Sequence, residues 1–452
     1  MSNKGELIKI GFTFPLPGNQ ECVVEQFLGG GGQGEVYRVK IGDDQYALKW
    51  YFRHNQNETL KKSLQELVKR KSPSANFLWP EQVIELDGDF GYVMGLRPNE
   101  YEKSQKLLDR KFSLSYTKAC NACLQLVDSF RKLHVKGLSY QDISWGNLFI
   151  NPKNGDILIC DNDNVAPHGS TVAGIAGTYG FMAPEVVRGE NLPDQYTDLF
   201  SMAALLFQML FLEHPLHGRR WANISCWDDV AKKRLYGTEP IFIFDPNDKR
   251  NIPEPGVQDN AIIFWNLYPS FIHERFIQSF TNGLTDRENG RVMEEAWIDS
   301  FRRLRASIFL CPHCGRELIC DNATLDSKGH IPCWGGNCQK KLEAPLRLRI
   351  SYGNRSKDIV LSEDSKIYAY QLKPYEKDVV KGDEIVGEVA QSPKDPSKWG
   401  IRNLTSNEIW HITNATGETK DVMPQKAFML NNDVVVDFGN KVVGEVIIAS
   451  QF

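Results

Sequence analysis

The chain has 452 residues, of which 41 % are hydrophobic and 24 % charged, with a formal net charge of -4. That length exceeds one compact core and calls for two or three domains, and the composition is that of an ordinary globular protein. The mild acidity gives no electrostatic reason to expect nucleic acid or an anionic membrane as partner, no apolar run is long enough to span a bilayer, and Met1–Glu6 lacks the apolar core of a signal peptide, so a cytoplasmic location is expected.

After an N-terminal segment (1–20), the first predicted element is a strand, Val23–Leu28. A glycine-rich turn follows, Gly29-Gly30-Gly31-Gly32-Gln33-Gly34, and then an alternating strand from Glu35 to Val39. Gly29, Gly31, Gly34 and Val36 fit the pattern GxGxxGxV. Glycines let backbone amides approach phosphates closely. The turn leads from strand to strand, which argues against a Rossmann or Walker site, where a helix follows. Tyr46–Trp50 is the next strand, and Lys49 interrupts its apolar run. Behind a glycine loop, Lys49 reads as a phosphate-binding ammonium. Residues 57–70 have a helical stripe of Leu60, Leu64, Leu67 and Val68. Its Glu66 is the expected partner of Lys49, with Glu58 as the competing candidate.

Residues 82–97 read as two strands joined by Asp87-Gly88-Asp89, and Tyr116–Leu133 as a long apolar-periodic helix. Cys120 and Cys123 fall within that helical pattern and read as buried thiols. The stretch Leu138–Phe149 then carries Asp142 and, five residues on, Asn147; Asp161 follows in Leu158-Ile159-Cys160-Asp161. One carboxylate can take a hydroxyl proton, while an amide and a second carboxylate offer the oxygen ligands that hard cations prefer. Further along come Gly177–Glu185 with Ala183-Pro184-Glu185, then Asp198 in Tyr196–Ser201, then Arg291 before Met293–Trp297.

Taken in this order, the motifs resemble the serine/threonine protein kinase family over roughly residues 20–305. The resemblance implies Lys49 on the ATP phosphates, Asp142 as base and Asn147 with Asp161 on Mg²⁺. It also implies Glu66 as the lysine's partner, and an adenine pocket of Leu28, Val36, Ala47, Met94, Leu96 and Phe149. Asp198 would brace the catalytic loop, and Arg291 would pair with Glu185. Thr178 would be structural, near Asp142; Ser170 and Thr171 would be autophosphorylation sites.

Three departures from the family pattern carry information. The HRD triplet is Tyr140-Gln141-Asp142, so no arginine is present to grip an activation-segment phosphate, and ordering without that phosphate is expected. Ser144 stands where the family has a lysine on the transferring phosphate. DFG is Asp161-Asn162-Asp163, without the Phe. Such losses also suit a nucleotide-binding pseudokinase scaffold, although the lysine, base and metal positions are all kept. Between 212 and 290 the chain is rich in Trp221, Trp227, Phe242, Phe244, Trp265, Tyr268 and Phe271, read as core.

Four of the ten cysteines form the pairs Cys311/Cys314 and Cys333/Cys338. Two thiolate knuckles resemble a zinc ribbon with a structural S₄ site; Cys320, His313 and His330 are the substitute ligands. From Leu346 on, short strands alternate between turns, as at Leu346–Ile350, Asp358–Leu361, Lys366–Tyr370 and Asp433–Gly439. This region resembles a forkhead-associated domain, without an evident Arg and Ser-x-x-His for phosphothreonine, so it is read as a docking module. The expected architecture is α+β: a bilobal protein-kinase fold (21–306; small lobe 21–95, large lobe 96–306), a zinc ribbon (307–345) and an all-β sandwich (346–452). That order resembles the bacterial kinases of phosphorylation triads found beside tellurite-resistance genes. It implies ATP, Mg²⁺ and Zn²⁺ as ligands, a von Willebrand A-domain protein as substrate and a metal-dependent phosphatase as antagonist, with no nucleic acid or membrane partner.

Overall fold

The alternation between Val23 and Trp50 becomes an antiparallel sheet with two differently used faces. In the computed structural model, which describes residues 7–170, 177–321, 325–326, 328–363, 365–376, 378–395, 398–431 and 434–447, the chain divides into two compact units. One comprises 1–114, 121–265 and 274–298; the other comprises 115–120, 266–273 and 299–452.

In the first unit, strands β1 (Thr13–Leu16), β2 (Gln20–Gly30), β3 (Gly34–Ile41), β4 (Asp44–Tyr51), β5 (Pro80–Leu86) and β6 (Asp89–Gly95) form one sheet in the order β1-β2-β3-β4-β6-β5. Side chains alternate across a strand. Phe14, Val24, Tyr37, Val39, Leu48, Trp50 and Val93 therefore share one apolar face. The opposite face carries Val36, Ala47, Tyr51, Tyr92 and Met94. Register fixes the rows: Val36 lies opposite Lys49 and Arg38 opposite Ala47, while Ala47 lies opposite Met94 and Lys49 opposite Tyr92. Lys49 thus belongs to the second face by parity alone. Helix α1 (Glu58–Arg70) covers that face with Leu60 and Leu64, and its Leu67 is buried as well. Each such leucine contributes about 2 kcal/mol by burial. Asn57 caps the helix, its side chain accepting from the Leu60 amide at 2.8 Å.

The rest of this unit is mainly helical. From residue 121 on it includes helix α2 (Tyr116–Val135), which leads through Gly137, at φ +71°, into the Leu138–Phe149 stretch. Leu148–Ile150 pairs with Ile157–Ile159 as a hairpin. Helix α3 (Gln195–Phe211) starts at a capping box on Asp194 and is buried continuously from Thr197 to Phe211. A helix hydrophobic all round belongs at the centre of a core. Around its end, Phe207, Phe211, Phe242, Phe244, Trp265, Phe276 and Phe280 contact one another, with Phe244 stacked on Trp265 at 4.0 Å. The aromatics of that region are largely core, but Trp227 is exposed.

The second unit holds two small hairpins and a two-sheet body. Ile308–Leu310 pairs with Glu317–Ile319, and His330–Pro332 with Lys341–Glu343. A six-stranded sheet runs Arg355–Val360, Arg347–Tyr352, Val442–Ile447, Val435–Asp437, Trp410–Thr413, Thr419–Val422. A four-stranded sheet runs Lys366–Tyr368, Ile385–Gln391, Trp399–Asn403, Ala427–Met429. Both contribute to one core that includes Leu348, Ile367, Ile401, Trp410, Phe428 and Val436. Asp433 of the expected last strand lies outside the described residues. Among the described residues no helix is long and apolar enough to cross a membrane.

Candidate active site

A cavity of about 750 Å³ lies in the first unit, under the glycine-rich turn. Leu28, Gly29, Gly31, Gly34, Val36, Ala47, Lys49, Met94, Leu96, Phe149, Asp142 and Asp161 all line it. The apolar members come from β2, β3, β4, β6, the residue after β6 and the Leu148–Ile150 strand, and so form two walls of one slot. The turn is closed by the Gly31 amide donating to the Gly34 carbonyl at 2.9 Å. Asn55 holds it from below, its side-chain amide donating to the carbonyls of Gly32 and Gln33 at 3.0 and 3.1 Å. Of these glycines Gly34 has no steric latitude, because an added Cβ would sit 2.1 Å from the Trp50 carbonyl oxygen.

Lys49 enters the cavity's inner end with its side chain only 6 % exposed. Its ammonium donates to Asp163 Oδ2 at 2.8 Å, to Gln33 Oε1 at 2.8 Å and to Asp161 Oδ1 at 3.4 Å. Burial works against its charge, but the carboxylates of Asp163 and then Asp161 outweigh that and raise its pKa. Glu66, the expected partner, is not there. Its carboxylate is solvent-exposed and pairs with Lys69 at 2.8 Å. The reason is helical geometry: Leu60, Leu64 and Leu67 define the buried stripe, and position 66 points away from it. Glu58, the other candidate, is exposed as well.

Asp142 is held from two sides. Thr178 donates its hydroxyl to Oδ1 at 2.7 Å, and the Asn147 amide donates to Oδ2 at 3.2 Å and to the Asp142 carbonyl at 2.9 Å. Burial raises the Asp142 pKa, and these bonds only partly offset it. A carboxylate so poised is a better proton acceptor than an exposed one. Asn147 spends its nitrogen on Asp142, which leaves its side-chain oxygen for a cation. Asp161, with 44 % of its side chain exposed, offers a carboxylate on the same cavity. Two such oxygen donors fit a hard divalent ion. Asp161 also adopts φ +53°, a left-handed conformation that an Asp tolerates better than most residues.

The loop bearing Asp142 is fixed from beneath. Asp198 on α3 accepts from the backbone amides of Tyr140 and, at 2.9 Å, Gln141. His134 bridges Asp198, at 3.1 Å, to Glu294. Gln141 itself sits at φ +73°, and its amide donates to Ser139 Oγ at 3.0 Å and to the Ser170 carbonyl at 2.6 Å. A neutral amide therefore reaches the segment after the Asp161 loop directly. Arg291 donates to Glu185 at 2.8 Å, and both are buried. Ser170 is exposed; Thr171 lies outside the described residues. Three contributors escaped sequence reasoning: Gln33, Tyr51 and Asp163. The last two join through the Tyr51 hydroxyl, which donates to Asp163 Oδ2.

In the second unit the thiol sulfurs of Cys311, Cys314, Cys333 and Cys338 all lie within 4.8 Å of one another. Cys311 to Cys338 is 3.8 Å and Cys314 to Cys333 is 3.7 Å. A zinc–sulfur bond of about 2.3 Å gives a tetrahedron edge of about 3.8 Å, whereas a disulfide needs about 2.0 Å. Cys320, His313 and His330 are not in this cluster; Cys320 accepts from Arg347 instead, at 3.3 Å.

Comparison with known proteins adds the family. The protein kinase domain model matches residues 22–255. Mitogen-activated protein kinase kinase kinase 7 of Drosophila melanogaster is 24 % identical over 202 residues, covering 44 % of this chain and 29 % of that protein. Protein kinase C-like 1 of Candida albicans is 35 % identical over 104 residues, 22 % of this chain and 9 % of that protein. The probable serine/threonine-protein kinase gdt4 of Dictyostelium discoideum is 27 % identical over 210 residues, 42 % of this chain and 12 % of that protein. This chain thus spans less than a third of the length of each of these relatives.

Proposed function

Because the chain belongs to the protein kinase family, we propose that it transfers the ATP γ-phosphate to a serine or threonine hydroxyl of a protein, with Asp142 as the base. The observation that carries this reading is the shared cavity: Lys49, Asp142 and Asp161 line the same slot as the glycine turn and the apolar walls. In this reading the adenine lies between Leu28, Val36, Ala47, Met94, Leu96 and Phe149. Turn amides and the Lys49 ammonium hold the phosphates, and Asn147 and Asp161 supply the oxygens for Mg²⁺. That ion, when bound, neutralises phosphate charge as the leaving group departs. Asp142 orients the acceptor hydroxyl and takes its proton at a carboxylate oxygen, while Thr178 and Asn147 keep that carboxylate in place.

The second unit supports a docking role, with the four cysteines as a structural zinc site that ties two short hairpins together. The resemblance in module order supports a von Willebrand A-domain protein as substrate and a metal-dependent phosphatase as antagonist. Ser144, which leaves the transferring phosphate without its usual cation, favours a second reading as a nucleotide-binding scaffold. One experiment separates the two. The purified chain and its Asp142→Asn variant are incubated with labelled ATP and Mg²⁺, alone and with a candidate protein substrate. Transfer by the wild type that Asp142→Asn abolishes supports the kinase; nucleotide binding without any transfer leaves the scaffold.

A further inference from the structure

We propose that Asp163, and no residue of helix α1, is the fixed counter-ion that positions Lys49 for the nucleotide phosphates. This rests on the kinase reading of the cavity and adds a positioning residue to it. Lys49 has three ammonium hydrogens and three partners, and the partners differ in kind. Gln33 belongs to the glycine turn and Asp161 to the open wall; both line the cavity, where phosphates and metal compete for them. Asp163 does not line the cavity. Its side chain is 1 % exposed, and at 2.8 Å it makes the shorter of the two ion pairs to Lys49.

Asp163 is placed by its turn and by Tyr51. It lies in the short helical turn Asn162–Asn164, whose Asn162 side chain donates to the carbonyls of Leu78 and Ile159 at 2.7 and 3.2 Å. Its Oδ2 also accepts from Tyr51, which stands two residues beyond Lys49 on the same face of β4. Lysine, tyrosine and aspartate thus close a buried triangle between the strand and the Asp161 loop. Helix α1 supplies nothing comparable. Its two carboxylates, Glu58 and Glu66, are exposed, and the side it turns to the sheet packs Leu60 and Leu64 with Tyr51 and Tyr92. The ammonium is therefore set by the loop that also carries Asp161. Without Asp163, the nearest remaining carboxylate is Asp161, which would draw Lys49 off the phosphates.

The test uses the full chain and reads ADP affinity by calorimetry without added divalent metal. Asp163→Asn is expected to weaken ADP binding at least tenfold, while Glu66→Ala stays within twofold of the wild type. If Asp163 acts through Lys49, Lys49→Met and the Lys49→Met/Asp163→Asn double variant bind ADP equally, a result that a general structural role would not produce. Wild-type affinity in Asp163→Asn, a tenfold loss in Glu66→Ala, or a further loss on adding Asp163→Asn to Lys49→Met overturns the proposal. Should Asp163→Asn alone fail to fold, the Lys49→Met pair, which removes both charges together, decides by the same criterion. A wild type that binds ADP but transfers no phosphate sinks the kinase reading and leaves this comparison standing.

Discussion

The buried imidazole beneath the Leu138–Phe149 stretch gives a prediction with a sign and a size. His134 is only 10 % exposed and lies between the carboxylates of Asp198 and Glu294. Burial alone would lower its pKa, but the hydrogen bonds and charges of Asp198 and Glu294 outweigh burial and lift it from 6.5 to about 9. The folded state therefore binds the proton more tightly than the unfolded chain. The stabilisation is fully present below pH 6.5 and is lost as pH rises through 9. At about 1.4 kcal/mol per pH unit the shift amounts to about 3 kcal/mol, of which roughly 2.5 kcal/mol remains at pH 7 and under about 1 kcal/mol at pH 8.5. His134→Gln removes the cation and keeps a hydrogen-bonding side chain. Urea unfolding of both proteins at pH 6.0, 7.5 and 9.5 should show a gap of about 3 kcal/mol at the lowest pH that closes to under about 1 kcal/mol at the highest. Hydrogen exchange over 138–149 should rise in parallel, because Asp198 holds the amides of Tyr140 and Gln141. A gap that does not change with pH would refute the assignment of a charged imidazolium between two buried carboxylates.

Three shorter predictions test other parts of the structure. Gly34→Ala forces a methyl group against the Trp50 carbonyl; a loss of at least about 2 kcal/mol by urea unfolding is expected, and a neutral result would mean that the β3–β4 register is wrong. Cys314→Ser is expected to carry less zinc per chain than the wild type by mass spectrometry, and to lower the melting temperature of the second unit; equal metal content in the two proteins rules out the four-cysteine site. Because Gln141 reaches the Ser170 carbonyl without any phosphate, phosphatase treatment should leave the wild-type rate within about twofold, whereas Gln141→Ala should lower kcat by about tenfold. A rate that collapses on dephosphorylation contradicts that direct tether.

What could be read from the chain was whatever its local chemistry dictates. Alternation gave the strands around Gly29–Gly34, the turn at Asp87–Gly88 appears with both residues at positive φ, and leucine spacing gave α1. The kinase family followed from motif order and is matched over 22–255. The sandwich was harder. Strands such as Trp410–Thr413 and Ala427–Met429 are short, and their burial comes from the facing sheet rather than from their own periodicity. Lys49's partner was missed for a different reason. Glu66 stands at a plausible distance along the chain from Lys49, yet the stripe Leu60-Leu64-Leu67 puts position 66 on the solvent side. What no periodicity contains is Asp163, which meets Lys49 across 114 residues of sequence. An Asp-Asn-Asp turn reads as turn chemistry until a buried cation is brought to it. The same holds for Gln141, where the missing arginine was visible but the amide's reach to Ser170 was not. For Gln141 the sequence shows which family residue is lost and only tertiary contact shows what stands in its place; for Lys49 the sequence offers Glu66, and only tertiary contact brings Asp163 there instead.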